Sequence, residues 1–193
     1  MKVTINGVES EFKTSSLAKF TDLVELIKSS IDPEHIITDI LLDGDELSEM
    51  DWASPMSQIV DRKLTITTGT PHEFVHSKFS QASSVLRECY MSFRNARKDF
   101  QCGKMQSGNA ALASSVKILQ AFFEWYASMM EILEPEERSQ YNIDEQVQEI
   151  AEICKKICQY QMYQSWWALG ESIKNELEPK LDELEDFCRA FEN

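Results

Sequence analysis

The stretch TTGTPHEFVHSKF, residues 67–79, contains the point at which the chain changes its pattern. Before this stretch, apolar and polar residues alternate, as they do along a half-buried strand. After it, apolar residues recur every three or four positions, which is the spacing of one helix face. Thr70, Pro71 and Glu73 supply an N-cap, a proline at the first helical position and the acid of a capping box. The sequence therefore predicts a strand-rich part before residue 70 and a helical part after it.

Residues 1–68 carry the signals of several strands around one helix. Asn6-Gly7 is the dipeptide most typical of a tight hairpin turn, and Asp43-Gly44 is of the same kind. Between them, Asp32-Pro33 ends a segment of helical period. The predicted elements in chain order are a hairpin KVTING–VESEF, a helix FTDLVELIKSSI, a buried strand HIITDILL and a last strand KLTITT.

This order of hairpin, helix, strand, short irregular segment and strand resembles the ubiquitin-like β-grasp fold. The resemblance covers residues 1–68. Ubiquitin-like modifiers and sulfur carriers need a free C-terminal diglycine for their chemistry. Here TTGT, residues 67–70, runs on into more protein, so the resemblance does not imply conjugation or thiocarboxylate formation. It implies the other common use of β-grasp domains, which is docking.

The helical part predicts two long helices joined by a short loop at Cys102-Gly103, and then a third. The stripes of the first two have alternating steps of four and three, which is typical of an antiparallel pair of helices. The first stripe comprises Val75, Phe79, Ala82, Leu86, Cys89, Phe93, Ala96 and Phe100, and the second Leu112, Val116, Leu119, Phe123, Tyr126, Met130 and Leu133. The third helix begins near Ile143-Asp144, and its stripe runs through Cys154, Cys158, Met162 and Trp166 to Leu177.

Together these patterns predict an α+β fold. A ubiquitin-like β-grasp domain occupies residues 1–69, and an antiparallel helical bundle of three long helices plus a short C-terminal helix occupies residues 70–193. Residues 171–193 extend past the predicted end of the bundle, and Pro179 is expected to kink or break the helix there. In the favoured arrangement residues 179–192 fold back as a fourth helix. In the alternative, residues 171–193 pack on another chain and make the protein a homo-oligomer.

The adjacent residues Trp166 and Trp167 point about 100° apart on a helix, so only one of them can enter the core. The other is expected on a flank, either against Arg97 or Lys98 or exposed for docking. Exposed aromatic side chains are the usual anchors of protein–protein interfaces. The candidate partner-binding residues are Trp125, Tyr160, Tyr163 and Trp167.

Charge and composition narrow the class of function. The net charge of −14 argues against nucleic acid or an anionic membrane as the main partner. No apolar run reaches the roughly 18 residues of a membrane span, so a cytoplasmic location is expected. Five cysteines spread through helical sequence predict reduced, mostly buried thiols. The basic residues of segment 71–130 are expected to pair with carboxylates of the same chain or, alternatively, with an acidic partner.

Catalytic and cofactor motifs are not found in the sequence. His72 and His76 are four residues apart and could share a metal with Glu73, but a pair of histidines alone is a weak signal. The glycine-rich phosphate-binding patterns and the serine-nucleophile pattern are missing. We therefore expect neither a cofactor nor a metal nor catalytic residues.

The resulting prediction is a non-enzymatic adaptor or scaffold that docks protein partners through the β-grasp module and the aromatic-rich helical bundle. Two alternatives stay open. The first is an export or assembly chaperone, like secretion and flagellar chaperones, that holds a partner helix in an apolar groove. The second is an enzyme with a site between the modules near His72 and His76.

Overall fold

The computed structural model describes residues 1–14 and 17–192 and has an α+β architecture. The chain divides into two compact units, residues 1–74 and residues from 75 onward. The elements in chain order are β1 (Lys2–Ile5), β2 (Val8–Ser10), α1 (Phe20–Lys28), β3 (Ile36–Leu42), β4 (Asp45–Glu46), α2 (Glu49–Ala53), α3 (Met56–Ile59), β5 (Lys63–Gly69), α4 (Pro71–Gln101), α5 (Met105–Ile132), a 3-10 turn (Arg138–Tyr141), α6 (Asp144–Met162), α7 (Trp166–Ser172), a π-helical turn (Ile173–Leu177) and α8 (Glu178–Arg189). Within the two described ranges, no helix combines the length and apolarity that crossing a membrane requires.

The first unit contains a five-stranded mixed sheet with the order β2-β1-β5-β3-β4. β1 and β5 pair in parallel, and the other neighbouring strands pair antiparallel. Asn6 and Gly7 have φ values of 48° and 82°, and Asp43 and Gly44 have values of 58° and 97°. Positive φ at both central residues is what a tight type I′ hairpin turn requires. Both turns predicted from the sequence are therefore confirmed.

Helix α1 covers one face of this sheet because its apolar residues lie on a single side. Phe20, Leu23, Val24 and Ile27 are buried, as the helical period predicts. They share a core with sheet residues that alternate along their strands, namely Val3, Leu42, Leu64 and Ile66. This packing leaves the opposite side of α1 to solvent.

The second unit begins within α4, whose apolar stripe is confirmed at all eight predicted positions. The stripe of α5 differs from the prediction at every second step. Ser115, Phe122 and Met129 are buried in place of Val116, Phe123 and Met130. Burial of Ser115 is tolerated because its hydroxyl lies 2.8 Å from the Ala111 carbonyl oxygen and 2.7 Å from the Ser92 hydroxyl.

The predicted third helix is interrupted much earlier than expected. α6 ends at Met162, and Gln164 takes a left-handed conformation with φ of 54°. The Ser165 amide donates to the Tyr160 carbonyl at 2.8 Å, and the Gln164 amide donates to the Gln161 carbonyl at 3.0 Å. These two bonds form a Schellman motif, the usual C-terminal cap of a helix. The chain reverses here, fifteen residues before the proline at which the sequence predicted a break.

Because of this reversal, the segment after residue 165 folds back on its own unit and does not extend past its end. Lys156 pairs with Glu176 at 2.7 Å, and Glu149 farther back on α6 pairs with Lys180 at 2.8 Å. The chain from α7 to α8 therefore runs antiparallel to α6. The predicted apolar stripe is buried at Ile173, Leu177, Leu181, Leu184 and Cys188. The chain thus folds back from residue 165 and not from Pro179, where the favoured arrangement placed the bend, and the predicted overhang is wrong.

The apolar stripe through which residues 171–193 were expected to join a second copy is buried within this unit. Pro179 also differs from expectation, since it lies in the first turn of α8 without ending the helical path. The π-helical turn before it carries a hydrogen bond from the Glu178 amide to the Ile173 carbonyl. A widened turn of this kind makes room for a proline ring that would clash in a regular helix.

Candidate functional site

Three of the most exposed large apolar side chains of the second unit lie within six residues of one another, at the reversal between α6 and α7. Met162, Tyr163 and Trp167 are 81%, 80% and 79% exposed. We call these three residues the aromatic platform. Side chains of this size are normally buried at least in part, and a cluster of them on a surface marks an interaction site.

The segment that carries the platform is anchored to α4 and α5 by ring packing and by a hydrogen bond. The Trp166 ring stacks on Phe100 of α4, with centroids 5.2 Å apart and planes inclined by 12°. The Gln161 side-chain amide donates to Asn109 of α5 at 2.7 Å. Gln161 and Trp166 thus anchor the segment of the exposed residues to α5 and α4. An anchored platform loses little conformational freedom on binding a partner, which favours affinity.

The surface around the platform carries no charge in its own segment. No Asp, Glu, Lys or Arg occurs from residue 157 to residue 170, although 27% of the chain is charged. The hydrogen bond between Gln161 and Asn109 places this segment beside the start of α5, where residues 105–116 are also uncharged. Interface cores are depleted of charge and enriched in Trp, Tyr and Met. The platform has this composition.

A charged pair lies between α6 and the π-helical turn. Lys156 donates to both carboxylate oxygens of Glu176, at 2.7 and 2.9 Å. These hydrogen bonds lower the pKa of Glu176 and raise the pKa of Lys156. The two charges of this pair compensate each other.

The four candidate residues predicted from the sequence do not form one site. Tyr163 and Trp167 belong to the platform. Tyr160 lies one turn earlier on α6, is half-buried, and has the Lys156 ammonium 6.0 Å from its ring centroid. Trp125 lies far from them, because its neighbour Tyr126 bonds to Asp144 at the start of α6, about 28 Å from the end of that 19-residue helix.

Trp125 is half-buried and lines a separate groove between α4 and α5. Its ring packs on Phe79 and Phe122, with centroids 5.2 and 5.5 Å away. The groove has a volume of about 400 Å³, and its walls include Ala82, Val85, Ile118 and Ala121. We call it the α4–α5 groove. An apolar groove between two helices can take a large side chain or one face of a helix.

Met162 was missed as a site residue because the sequence placed it on the buried stripe of an uninterrupted helix. That helix ends at Met162 itself, two residues before the left-handed Gln164. The uncharged segment around it was a signal in the sequence that could have identified the platform. Trp166 and Trp167 divide as predicted: the Trp166 ring packs on Phe100, and Trp167 is exposed. Arg97, one of the two cations expected beside the flanking tryptophan, donates a hydrogen bond to Glu178.

The histidine pair of the enzyme alternative is divided between the two units. His72 precedes the division at residue 74, whereas His76 follows it and packs edge-on against Phe191 at 5.6 Å. Glu73 accepts hydrogen bonds from the Thr70 amide and hydroxyl, which hold the pKa of Glu73 below its usual value. Across residues 1–14 and 17–192, no group of three His, Cys, Asp or Glu residues is arranged to hold a metal ion.

No protein-family model, curated protein or solved structure matches the chain. The candidate sites are therefore defined by their own geometry and chemistry.

Proposed function

We propose that this protein is a non-enzymatic adaptor that binds a protein partner through the aromatic platform. The observation that carries the proposal is the exposure of Met162, Tyr163 and Trp167 on an uncharged, anchored turn. Two large aromatic rings and a flexible methionine supply the contact area and adaptability that binding hot spots use. The partner surface is accordingly apolar and contains a cavity for an indole ring.

The sheet unit is proposed to be a second docking module with a ubiquitin-like β-grasp fold. Its strand order, with the first and last strands parallel at the centre and one helix packed across a face, supports this assignment. Folds of this class host many functions, so the site decides the function and not the fold. A cytoplasmic location fits a protein with free, partly exposed thiols.

A second candidate function is that of a chaperone which holds a helix of its partner. The α4–α5 groove favours it, because the groove is largely apolar and the bordering Val85 is 42% exposed. A partner helix would place its own apolar stripe along this groove. The predicted enzyme near His72 and His76 has no comparable feature to support it and is not proposed.

The test of the adaptor is a quantitative pull-down from native lysate with three baits, followed by titration of the purified partner. The baits are the full chain, the Tyr163→Ala/Trp167→Ala variant and a Val8→Ala control, which removes a side chain that is 68% exposed on β2 in the other unit. We expect one protein near stoichiometry on the full chain and the control, and at least a tenfold weaker affinity for the platform variant. Equal binding to all three baits would refute the platform as the docking site.

Val85→Lys separates the chaperone from the adaptor. The side chain is exposed, so the substitution changes the groove without disturbing the core. If the partner is lost with Val85→Lys, is retained by the platform variant and gains helicity on binding, the chaperone replaces the adaptor. If the partner is lost only with the platform variant, the adaptor stands.

A further inference from the structure

We propose that the outer edge of β3 binds a basic, extended peptide segment, which adds to the sheet as a further strand. β3 is seven residues long, but its neighbour β4 pairs only with Leu41 and Leu42. In the described part of the chain no strand covers residues 36–40 on that side. Unpaired strand edges are templates for the backbone of another chain.

The hydrogen-bond pattern between β3 and β4 predicts which backbone groups of β3 point to this edge. Leu42 and Asp45 flank a two-residue turn, so they exchange hydrogen bonds with each other. Alternation along an antiparallel strand then turns the backbone of Leu41 towards β5 and that of Ile40 towards the open edge. Five uncovered residues span about 17 Å, which is room for a short strand.

A cavity of about 420 Å³ lies directly at this edge. It is lined by residues 37–40 of β3, by Val24 and Lys28 of α1, and by Leu47 and Trp52. A β-bulge between Ile37 and Asp39 interrupts the regular alternation of β3 here, and the cavity contacts residues on both sides of this bulge. A strand paired with β3 would place alternate side chains in this cavity. Its walls suit a large apolar side chain.

The charges around the edge define the occupant further. Asp39 lies on the uncovered part of β3, Asp45 and Glu46 form β4, and Glu49 begins α2; all four are exposed. None of the four is paired with a cation within residues 1–14 and 17–192. Lys28, the basic residue at the cavity, is engaged by Glu25 at 2.7 Å. The edge is therefore negative.

Charge complementarity then selects the partner. A segment with apolar residues at every second position and Lys or Arg between or beside them matches both the cavity and the acidic rim. An acidic or uncharged segment could form the backbone hydrogen bonds of an added strand but would not complement the charge of the acidic rim. This inference extends the proposed adaptor, because it gives the sheet unit a partner of its own, and it does not depend on the aromatic platform.

The test starts from a library of random dodecapeptides displayed on phage and selected on the full-length chain. We expect the enriched peptides to share two or more apolar residues at alternate positions and an excess of Lys and Arg. Synthetic copies should shift the amide signals of residues 36–40 and of Val24 in the 15N spectrum of the full chain. Proline placed between the apolar positions should abolish binding, because it removes a backbone donor.

Two charge reversals provide the matched comparison. Asp39→Lys, on the open edge, is expected to lower the affinity for the peptides about tenfold or more. Glu11→Lys lies just after the strand at the opposite edge of the sheet and should leave this affinity unchanged. The 15N spectrum of each variant verifies its fold. Four outcomes would each overturn the proposal. The selected peptides contain no basic residues, the signal shifts map outside β3 and α1, no peptide is enriched, or both variants lose affinity equally.

One further variant tests whether the selected peptides bind to the aromatic platform. Tyr163→Ala/Trp167→Ala should bind the selected peptides with unchanged affinity. Failure of the platform pull-down together with success here would refute the adaptor mechanism of the second unit and leave the β3 edge standing. Loss of peptide binding in the platform variant would assign the peptides to the platform and overturn the edge site.

Discussion

Arg97 on α4 and Glu178 at the start of α8 form an ion pair with both side chains almost buried, and the Arg97 Nε atom donates to a Glu178 oxygen at 2.8 Å. Farther along the same two helices, Arg87 lies 3.3 Å from the buried Glu185. These contacts confirm that at least two basic residues of segment 71–130 serve carboxylates of their own chain. They also fix the position of the last helix on α4.

Removal of either partner of the Arg97–Glu178 pair should be costly. Arg97→Met leaves a buried carboxylate without its cation and is expected to lower the free energy of unfolding by about 3 kcal/mol or more. The double variant Arg97→Met/Glu178→Met should recover most of this loss, since no unpaired charge remains. Urea denaturation of the four proteins measures the coupling. Lys155→Met, which breaks an exposed pair with Glu152, is the control and should change stability by less than about 1 kcal/mol. Additive losses in the double variant would contradict the assignment.

Gly108→Ala should destabilise the protein, although alanine is the better helix former. A Cβ atom at this position would lie 2.8 Å from the Phe100 ring, which is stacked on Trp166. We expect a loss of about 1–3 kcal/mol from overpacking, together with a change in the near-ultraviolet dichroism of the tryptophan. In a Phe100→Leu background the same substitution should cost much less. A stabilising Gly108→Ala would mean that the close approach of the ring to α5 is wrong.

Gln164→Gly should stabilise the protein by about 1 kcal/mol. The left-handed conformation at residue 164 is unfavourable for a residue with a Cβ atom and free of that penalty for glycine. Gln159→Gly, at an exposed position inside α6, is the matched control and should cost about 1 kcal/mol. Thermal denaturation distinguishes the two. If both substitutions destabilise equally, α6 continues through residue 164 in solution.

The thiols should fall into two classes of reactivity. Cys102 and Cys158 are exposed, whereas burial raises the pKa of Cys89 and of Cys188 to about 12 and that of Cys154 to about 11. Because the thiolate is the reactive form, a disulfide reagent at pH 8 should titrate two thiols quickly in the native protein and all five after unfolding. Fast reaction of Cys89 or Cys188 would show that the helical unit opens readily.

The same pKa shifts predict a fall in stability at alkaline pH. Between about pH 9 and pH 11 the unfolded chain loses its thiol protons, and the folded chain keeps them at Cys89, Cys154 and Cys188. The folded state then binds more protons, so the free energy of unfolding decreases as the pH rises, by up to about 1.4 kcal/mol per pH unit for each thiol. Cys188→Ala should flatten this slope relative to the full chain. An unchanged slope would mean that Cys188 is ionised in the folded state.

The elements that the sequence predicts well are those whose local signals agree with their packing. Asn6-Gly7 and Asp43-Gly44 specify their turns by backbone chemistry alone. The stripe of α4 is unambiguous because its apolar residues stand among polar ones. In α5, by contrast, Val116 and Ser115 compete for one position. Ser115 is the buried residue because its hydroxyl can donate to the Ser92 hydroxyl or to the Ala111 carbonyl oxygen.

The interruption of the third helix had no local signal of the usual kind. Helix ends are commonly marked by glycine or asparagine, and glutamine stands at the left-handed position here. The break is stabilised by tertiary contacts instead, namely the packing of Trp166 on Phe100 and of the α8 stripe in the core. Exposure of Met162 and Tyr163 follows from that break, so the complete platform could not be predicted without it.

The distance along the chain between Arg97 and Glu178, 81 residues, has a consequence for biosynthesis. At a ribosomal rate of about 5–20 residues per second, Glu178 is synthesised roughly 4–16 s after Arg97. During that interval the apolar stripe of α4 lacks its cover from α8, whereas all five strands of the sheet are complete by residue 69. The sheet unit can thus fold while translation continues, but the helical unit cannot complete its core until α8 has been synthesised.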